Sequence, residues 1–416
     1  MKQKICLITS AHLSYNPRLL KEADALWAAG YDVRVVAVNL DDAKWKLDLA
    51  LMTGRKWKLN AYDARKSSLP GRVRWIKAGV RQKLCRGILK YESGFLSRAY
   101  SRYAPEITAL AMSEPADLFI AHNLPALPAA ARAAHRWSAL LGFDAEDFHR
   151  GEFLDTPANH EASRLTRLVE EEFIPRCAYL TAASDGIGEA YARCLPVSCP
   201  PTILNVFPLS ERVGQTPKAE LACERQGTQL SLYWYSQVIG ADRGLDDIFE
   251  AVALLGEKVM LNLRGAISDS HSKHLHDRLT KMGIAERVRL LPPVPPQQLI
   301  ERAACHDVGL ALEASELENR RLCVTNKLFA YLLGGLAVAA TNTPGQRDIM
   351  AKIPDAGIVY RAGDVKALAD QLLIWSSDPD ELGKARAQAR LAAESQFCWD
   401  VEAPKLVKHV DSLWGG

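Results

Sequence analysis

The chain has 416 residues, 48% of them hydrophobic and 24% charged, a composition that excludes a disordered protein. Its formal net charge of +3 is too small to indicate a nucleic-acid partner. The length predicts two domains of roughly 200 residues each, enough for two substantial cores.

The first elements alternate between strand and helix. Residues 4–9 are predicted to form a buried strand, residues 17–29 a helix with one apolar face, and residues 31–38 a second strand. This pattern is typical of the start of a doubly wound sheet. A dinucleotide-binding fold would place GxGxxG in the first loop, but that loop reads SAHLSYNPR. Its absence argues against a nicotinamide or flavin enzyme.

Residues 55–102 form a basic segment. They carry fourteen Lys and Arg residues against Asp63 and Glu92, with Trp57, Trp75 and aliphatic residues interleaved. Basic residues on one face of a helix and apolar residues on the other would allow it to lie on an anionic membrane surface. A solvated basic helix packed on the sheet is the alternative. A nucleic-acid surface is less well supported, because no recognised binding motif accompanies the charge.

Two further strands of the first half end in polar residues. The strand at residues 117–121 is followed by His122, and the strand at residues 140–144 by Glu146 and His149. Ligands of open α/β sheets bind beyond the carboxyl ends of the strands, so these side chains are candidates for a polar site. A His, Glu and His set could also bind a metal ion, but its spacing matches no recognised helical zinc motif. The alternative is that these histidines are hydrogen-bonded or lie on the surface.

A helix at residues 165–175 and strands at residues 178–183 and 201–206 are predicted to complete the first half. Residues 208–227 are polar, contain two prolines and read as a linker. A second alternation follows, with strands predicted at residues 229–238, 259–264, 288–291, 308–312 and 336–340. The chain is mainly helical from residue 364, and residues 399–414 are amphipathic.

Two loops of the second half suit a phosphate group. Gly240, Arg243 and Gly244 follow the first strand, and glycine lets the backbone approach a ligand while Arg grips phosphate oxygens. Later, Thr325 or Asn326 is predicted to cap a helix that ends at two glycines. The start of such a helix offers unpaired N–H groups and a positive dipole end, and Lys327 adds a full charge there. An ordinary capped helix with a solvated Lys is the alternative.

Cysteine usage and apolar runs bear on the compartment. The nine cysteines are scattered, odd in number and without a CxxC pair, so they indicate neither a disulfide framework nor a zinc site. A reducing cytoplasm is the simpler expectation. No stretch approaches the roughly 20 apolar residues of a membrane-spanning helix, and the opening residues lack the pattern of a signal peptide.

The ordered set of segments resembles the retaining glycosyltransferases of the GT-B fold, in particular the large bacterial family often called family four, or glycosyltransferase group 1. The matching segments are ICLITS with Arg18, DLFIAHN, LGFDAEDFH, YLTAASDGI with ILNVFP, YWYSQVIGADRGLDD, LNLRG, VRLLPPVPPQQLI, HDVGLAL and TNKLFAYLLGGLAVAATNTPG. Each segment is weak alone, and the last is the most specific. Their order along nearly the whole chain carries the resemblance.

The resemblance implies an α/β fold with two Rossmann-like domains that face one another across a cleft. Residues 1–207 would be the acceptor-binding domain and residues 228–395 the nucleotide-sugar-binding domain, joined by the linker at residues 208–227. Residues 396–416 would form a C-terminal helix that packs back on the first domain.

The resemblance also implies roles for single residues. Arg243 and Lys327 would hold the diphosphate, and His122 would face the donor sugar. Further donor-side residues would be Gly240, Gly244, Arg264, Gly265, Asn326, Leu328, Thr343 and Gly345. The acceptor-side residues would be Arg18, Glu146 and His149.

By the same resemblance, the chain would be an EC 2.4 hexosyltransferase that moves a sugar from a nucleotide-diphosphate donor to a glycan or lipid-linked acceptor with retention. It would need no metal and no cofactor. It would be cytoplasmic and peripheral on the inner face of the cytoplasmic membrane, with residues 55–102 on the anionic surface, and would bind no nucleic acid. A non-catalytic nucleotide-sugar-binding homologue and a GT-B nucleotide-sugar epimerase or hydrolase are the alternatives.

One departure from the family pattern bears on these alternatives. Family members place a glutamate in the helix after Asn326 to bind ribose hydroxyls, and many pair it with an earlier acid. This chain has Ala330 and Leu322 at those two positions. The nearby acids that could substitute are Glu313, Glu316 and Glu318.

Overall fold

A computed structural model describes residues 3–89, 93–212, 221, 227–240, 244–313 and 316–415. The chain divides into two compact units. The first unit consists of Met1–Asn205 with Ala403–Gly416, and the second of Val206–Glu402. The predicted linker at residues 208–227 falls mostly outside the described residues.

The described part of the first unit forms a six-stranded parallel sheet in the order β3-β2-β1-β4-β5-β6. Its strands are β1 (Lys4–Ile8), β2 (Asp32–Asn39), β3 (Lys58–Asp63), β4 (Leu118–His122), β5 (Leu140–Ala145) and β6 (Tyr179–Ala182). Its helices are α1 (Pro17–Ala28), α2 (Asp42–Met52), α3 (Leu69–Leu89), α4 (Leu96–Tyr100), α5 (Ala104–Met112), α6 (Leu127–Trp137), α7 (His160–Phe173) and α8 (Asp185–Cys194).

The strands of this sheet form where apolar runs can be covered on both faces. In β4 every residue is buried, and in β1 every residue after Lys4 is buried, as expected for parallel strands between helices. The strand order reverses between β1 and β4, and such a switch point opens a crevice at the carboxyl ends of the strands. His122 ends β4 at this point.

The predicted strand at residues 201–206 is wrong. This segment makes only an isolated bridge between Thr202 and Ala182. Pro200 and Pro201 have no N–H group, so they cannot donate to a strand ladder. Conversely, the sequence did not predict β3, because this edge strand is half-buried and carries no apolar run.

The C-terminal helix α17 (Trp399–Ser412) contributes its later residues to the first unit. Leu406 and Val410 are buried. Tyr31 donates a hydrogen bond of 2.5 Å to Asp411, and the rings of His409 and Tyr179 lie 5.1 Å apart. The end of the chain therefore packs on the sheet that the first residues begin.

The described part of the second unit forms another six-stranded parallel sheet, in the order β12-β11-β10-β7-β8-β9. Its strands are β7 (Leu230–Val238), β8 (Val259–Ala266), β9 (Val288–Leu291), β10 (Val308–Ala311), β11 (Ala337–Thr341) and β12 (Gly357–Tyr360). Its helices are α9 (Asp246–Leu255), α10 (Asp269–Lys281), α11 (Leu299–Ala304), α12 (Glu318–Leu322), α13 (Asn326–Gly334), α14 (Pro344–Met350), α15 (Val365–Ser377) and α16 (Pro379–Ser395).

The two sheets have the same topology. Within each unit the first strand lies between the second and the fourth, so the order in which the strands are added reverses beside the first strand. This is the strand order of a Rossmann fold. The predicted α/β class with two Rossmann-like domains is confirmed, whereas their facing across a cleft stays a prediction. Among the described residues, no helix has both the length and the hydropathy that spanning a bilayer requires.

Leu406→Ala is expected to destabilise the first unit by about 2 to 5 kcal/mol, because it leaves a cavity in a buried contact. Urea unfolding followed by circular dichroism measures this. The matched control is Lys408→Ala, on the same helix but with an exposed side chain, which should change the free energy of unfolding by less than about 0.5 kcal/mol. Equal effects would show that the end of α17 is not part of this core.

Candidate functional site

His122 lies in a buried cluster of charged side chains in the first unit. Its Nε2 atom is 3.0 Å from Oε2 of Glu22, and its Nδ1 atom is 3.3 Å from Oδ2 of Asp144. All three side chains are at most 1% exposed. The register of β4 and β5 pairs His122 with Asp144, and α1 brings Glu22 over the strand ends. The sheet itself therefore builds this cluster.

Arg18 completes the cluster from α1. Its Nε and Nη2 atoms donate to the two carboxylate oxygens of Asp144, at 2.6 and 2.7 Å, and its Nη1 atom donates to the carbonyl oxygen of Ile203 at 2.5 Å. Thr181 donates a further hydrogen bond of 2.7 Å to Asp144. The guanidinium of Arg18 is therefore held inside the first unit, and the acceptor-side role that the resemblance implied for it stays a prediction.

The cluster is balanced in charge when His122 is protonated, since two cations then face two carboxylates. Burial lowers the pKa of His122, but the carboxylates of Glu22 and Asp144 outweigh burial and raise it to about 9. Burial raises the pKa of Asp144, but Arg18 and His122 outweigh it and hold that pKa far below its ordinary value. Each charge is compensated inside the protein, as a buried ion cluster requires.

Glu22, His122 and Asp144 also have the donor types of a metal site, and they are the group that the described residues bring within ligating reach. The described residues do not bring His122, Glu146 and His149, the set for which the sequence left a metal open, together as such a group. Both oxygens of Asp144 already accept hydrogen bonds from Arg18. Together with Arg18, a protonated His122 balances the two carboxylates, so the arrangement favours an ion cluster over a metal site.

Glu146 follows β5 and is only half-buried. Its Oε1 atom accepts a hydrogen bond of 2.9 Å from Asn205, which in turn accepts one of 2.8 Å from Lys21. Burial raises the pKa of Glu146 to about 6, with Arg18 opposing the shift and Asp144 adding to it. A carboxylate with a pKa near neutrality can accept or return a proton at physiological pH.

His149 lies on the turn that follows, His149–Glu152. Its Nδ1 atom is 2.8 Å from Oε1 of Glu152, and its backbone N–H donates to the hydroxyl of Tyr191 at 3.2 Å. Burial lowers the pKa of His149, but the Glu152 carboxylate outweighs burial and raises it. The partners of His149 are therefore in its own turn and in α8, and not in the buried cluster around His122.

In the second unit, Lys327 lies in the first turn of α13. Its Nζ atom is 3.0 Å from Oε1 of Glu313, and the two side chains are 13% and 19% exposed. The same Nζ atom lies 5.7 Å from the centre of the Trp234 ring in β7. Glu313 follows β10, and its backbone N–H donates to Thr341 Oγ1 at the end of β11. The pair thus lies at the carboxyl ends of the strands, beside the switch point of the second sheet.

The beginning of α13 partly matches its prediction. Thr325 is the N-cap residue with an extended backbone, but its side chain caps no N–H group. Asn326 is exposed, whereas Leu328 is fully buried and its N–H donates to the Thr325 carbonyl. Asn326 and Lys327 stand at the positive end of the helix dipole, where the first N–H groups of a helix have no partner within the helix.

Gly345 positions the segment that leads into α13. A Cβ atom at Gly345 would lie 2.5 Å from the carbonyl oxygen of Cys323 and 2.6 Å from that of Leu322. Only glycine lets the two backbones approach this closely. Thr343 caps α14 by accepting a hydrogen bond from the N–H of Gln346. The donor contacts implied for Thr343 and Gly345 stay predictions, and local packing by itself accounts for both residues.

Arg264 lies at the end of β8, but its guanidinium is buried. Nε donates to the hydroxyl of Tyr233 at 2.8 Å, and Nη1 donates to the carbonyl oxygen of Pro292 at 2.7 Å. A Cβ atom on Gly265 would lie 2.6 Å from the carbonyl oxygen of Ser236, so this glycine serves the contact of β8 with β7. The structure therefore shows both residues in internal contacts of the second unit.

The loop after β7 is only partly described. Arg243 lies outside the described residues. Gly244 has a φ of +69°, a left-handed backbone that glycine adopts without steric cost. Among the described residues, nothing lies within 4 Å of a Cβ atom placed on Gly240.

The acids near α13 differ in their placement. Ala330 is fully buried, and no carboxylate comes from this position. Glu316 and Glu318 are exposed. Of the three acids proposed as substitutes, Glu313 contacts Lys327.

Sequence reasoning missed Glu22, although the sequence contains a signal for it. Glu22 interrupts the apolar face of α1, between Leu19 and Ala23, and lies one turn after Arg18. A carboxylate on a buried face requires a cationic partner, which His122 supplies.

Comparison with known proteins places this geometry in a known fold. No family model matches the chain, and no curated protein matches it. Among solved structures, HepE from Anabaena in complex with UDP-glucose is similar, with 15% identity and a TM-score of 0.70 over 99% of this chain and 100% of that one. Sucrose-phosphate synthase from Thermosynechococcus elongatus has 12% identity and a TM-score of 0.73 over 100% of both chains.

WaaG, a glycosyltransferase involved in lipopolysaccharide biosynthesis, has 14% identity and a TM-score of 0.61 over 99% of this chain and 100% of that one. These likenesses extend over the whole chain, and at such identities they establish the fold. The chain has the fold of the GT-B glycosyltransferases, and the predicted resemblance is confirmed at that level.

The raised pKa of His122 makes the stability of the first unit depend on pH. Below the ordinary value of 6.5, the histidine is protonated in the folded and unfolded states and its ion pairs contribute fully. The contribution falls as the pH rises through about 9, on the order of 3 kcal/mol in total. Urea unfolding across this pH range should show the loss in the wild type. His122→Gln should remove this pH dependence.

The control for that experiment is His274→Gln, which changes an exposed histidine of α10 and should leave the pH dependence unchanged. An equal pH slope in the wild type and in His122→Gln would show that the folded protein does not hold His122 in its charged form.

Gly345→Ala is expected to destabilise the second unit by about 1 to 3 kcal/mol, because the added methyl group overlaps two carbonyl oxygens. Calorimetry of thermal unfolding measures the effect. The control is Gly383→Ala in α16, where a Cβ atom meets nothing within 4 Å and Ala should stabilise the helix by about 1 kcal/mol. A neutral Gly345→Ala would mean that α14 does not approach residues 322–323 as described.

Proposed function

We propose that this protein is a glycosyltransferase that moves a sugar from a nucleotide-diphosphate donor to a glycan or lipid-linked acceptor. The observation that carries the proposal is the position of Lys327. In a chain with the GT-B fold, it stands at the start of α13 beside the switch point of the second sheet. Open α/β sheets bind ligands at this place.

The chemistry of transfer suits this position. The bond from the sugar to the diphosphate breaks through an oxocarbenium-like state, and negative charge builds on the leaving diphosphate. A fixed cation and a helix dipole aimed at that phosphate stabilise the transition state more than the ground state. In the free protein, Glu313 balances the charge of Lys327. A diphosphate would replace this carboxylate as the partner of Lys327.

Release of Glu313 would give it a second role. The family pattern expects a ribose-binding glutamate where this chain has Ala330, and Glu313 is the acid that lies next to Lys327. Once phosphate holds the lysine, the Glu313 carboxylate can accept hydrogen bonds from hydroxyl groups of the donor. We propose it as the substitute for the missing glutamate.

The first unit supplies the candidate acceptor residues. Glu146, with a pKa of about 6, is suited to accept a hydrogen bond from an acceptor hydroxyl and to share its proton. The burial of His122 and Arg18 supports a positioning role for both, since they order the strand ends that carry Glu146. We propose retention without metal or cofactor, with the donor phosphate helping to take the acceptor proton and no protein nucleophile.

The compartment follows from the thiols and the substrate. The described cysteines are free, and several are exposed or half-buried. Free thiols persist in a reducing environment such as the cytoplasm. A nucleotide-diphosphate donor would be used as substrate in the same compartment. We therefore propose a cytoplasmic location.

A non-catalytic nucleotide-sugar-binding protein is the second candidate, and the absence of a carboxylate at Ala330 favours it. Calorimetry distinguishes the two, because donor binding without turnover on any of a varied panel of acceptors supports the second. An epimerase or hydrolase would instead consume donor without an acceptor, which analysis of the products detects.

Lys327→Ala is expected to lower the release of nucleoside diphosphate by about two orders of magnitude or more, through loss of the charge at the leaving group. The donor is chosen by a thermal-shift panel of nucleotide sugars, because a bound donor stabilises the folded protein. UDP-glucose comes first in the panel because HepE is seen with it. Release is then measured with a competent acceptor.

Lys281→Ala is the matched control, since it removes an exposed lysine of the same unit and should leave the rate unchanged. Equal rates in Lys327→Ala and the wild type would count heavily against the site.

A further inference from the structure

Helix α3 carries a continuous apolar stripe on its outer surface. The stripe is made of Leu69, Val73, Ile76, Val80, Leu84 and Ile88, which are between 40% and 75% exposed. Their spacing of three or four residues places them on one side of the helix. The stripe is about 28 Å long at 1.5 Å per residue. The stripe therefore extends along nearly the whole length of α3 and is long enough to contact another surface.

The opposite side of α3 fixes the helix to the first unit. Ala78 and Cys85 are buried. Arg81 pairs with Glu106 at 2.7 Å, and Gln82 donates to the carbonyl oxygen of Ala99 at 3.2 Å. The stripe therefore faces away from the unit because the other face of the helix is already packed.

Positive charges flank the stripe. Helix α3 contains six basic residues and no acidic residue. Arg74 and Arg81 turn inward toward Asp63 and Glu106. The exposed cations are Arg72, Lys77, Lys83 and Arg86, of which Arg86 already lies 4.0 Å from Glu161. At these positions they lie on the two sides of the stripe, so the outer surface of α3 is apolar along its centre and cationic along its edges.

The rest of the basic segment does not share this character. Acids from elsewhere in the first unit pair with several of its cations: Arg55 with Asp24, Lys58 with Glu114, and Arg65 with Asp42. Trp57 is buried. Trp75 is half-buried and lies under Lys66 at 4.0 Å and Arg102 at 4.6 Å. The membrane-facing role that the sequence suggested for residues 55–102 and their tryptophans therefore narrows to the aliphatic stripe.

We propose that α3 lies on an anionic lipid surface, with the stripe at the boundary of the acyl chains and the flanking cations against lipid phosphates. Charge complementarity selects this occupant. A second copy of α3 would bring cations against cations, and a nucleic acid would meet six aliphatic side chains at the centre of its contact. Lipid binding requires no donor or acceptor, so it stands or falls separately from the proposed transferase activity.

Sedimentation of the full chain with vesicles tests the proposal. Vesicles of phosphatidylcholine with phosphatidylglycerol should bind the protein at low salt, and pure phosphatidylcholine vesicles should bind it much more weakly. Binding should fall as salt rises, because salt screens the cations. No binding to the anionic vesicles at low salt would overturn the proposal.

Two double variants separate the stripe from the charges. Ile76→Ser with Val80→Ser should weaken binding by about tenfold or more, because less apolar surface is buried in the lipid. Lys77→Gln with Lys83→Gln should weaken it by about 25-fold, at roughly fivefold for each cation. All four side chains are exposed, so neither variant removes a core contact, and circular dichroism checks their folding.

The controls change the same residue types elsewhere. Leu254→Ser with Leu391→Ser removes two exposed apolar side chains of the second unit, and Lys273→Gln with Lys281→Gln removes two exposed charges of α10. Neither should alter vesicle binding. Unchanged binding in the Ile76 and Val80 double variant would overturn the proposal. A wild-type dimer that this variant converts to a monomer in sedimentation velocity would also overturn it, because a second copy would then cover the stripe.

Discussion

Parallel strands that are buried on both faces favour charged side chains at the edge of the sheet where the strands end. Both units obey this constraint. In the first, β4 and β5 are apolar until His122 and Asp144, which meet at the sheet edge. In the second, β10 is apolar until Glu313, which meets Lys327 at the same kind of edge. The ion pairs of His122 and of Lys327 therefore both lie where strands end.

The two edges solve the same electrostatic problem differently. The first unit compensates its charges completely, with Arg18 and protonated His122 against Glu22 and Asp144, all nearly inaccessible. Glu146, beside this cluster, keeps partial access to solvent and a pKa of about 6. The second unit leaves a partly accessible ion pair, Lys327 with Glu313, whose side chains are 13% and 19% exposed. An identical strand order therefore carries a buried, internally neutral cluster in one unit and a partly exposed ion pair in the other.

The surface of the first unit shows how the fold redistributes charge. The segment at residues 55–102 is strongly basic in the sequence. In the fold, acids from outside the segment pair with several of its cations: Asp24 pairs with Arg55, and Glu106 pairs with Arg81. The excess that remains lies on the outer side of α3, beside the exposed aliphatic stripe. Folding thus converts a general basic composition into one oriented amphipathic surface.

The sequence by itself indicated two alternations of strands and helices and the position of Lys327 at a helix start, because these follow from local apolar periodicity, and the family resemblance added the two Rossmann-like units. It failed at the edge strands β3 and β12, which are too half-exposed to give an apolar run. Only the tertiary structure decided what the charged residues do. Arg18 and Asp144 are 126 residues apart, and Glu22 finds His122 only when α1 packs over β4. The local sequence pattern determines where a charged residue lies in its own helix or strand. Its ion-pair partner, and therefore its role, depends on which helices and strands the fold brings together.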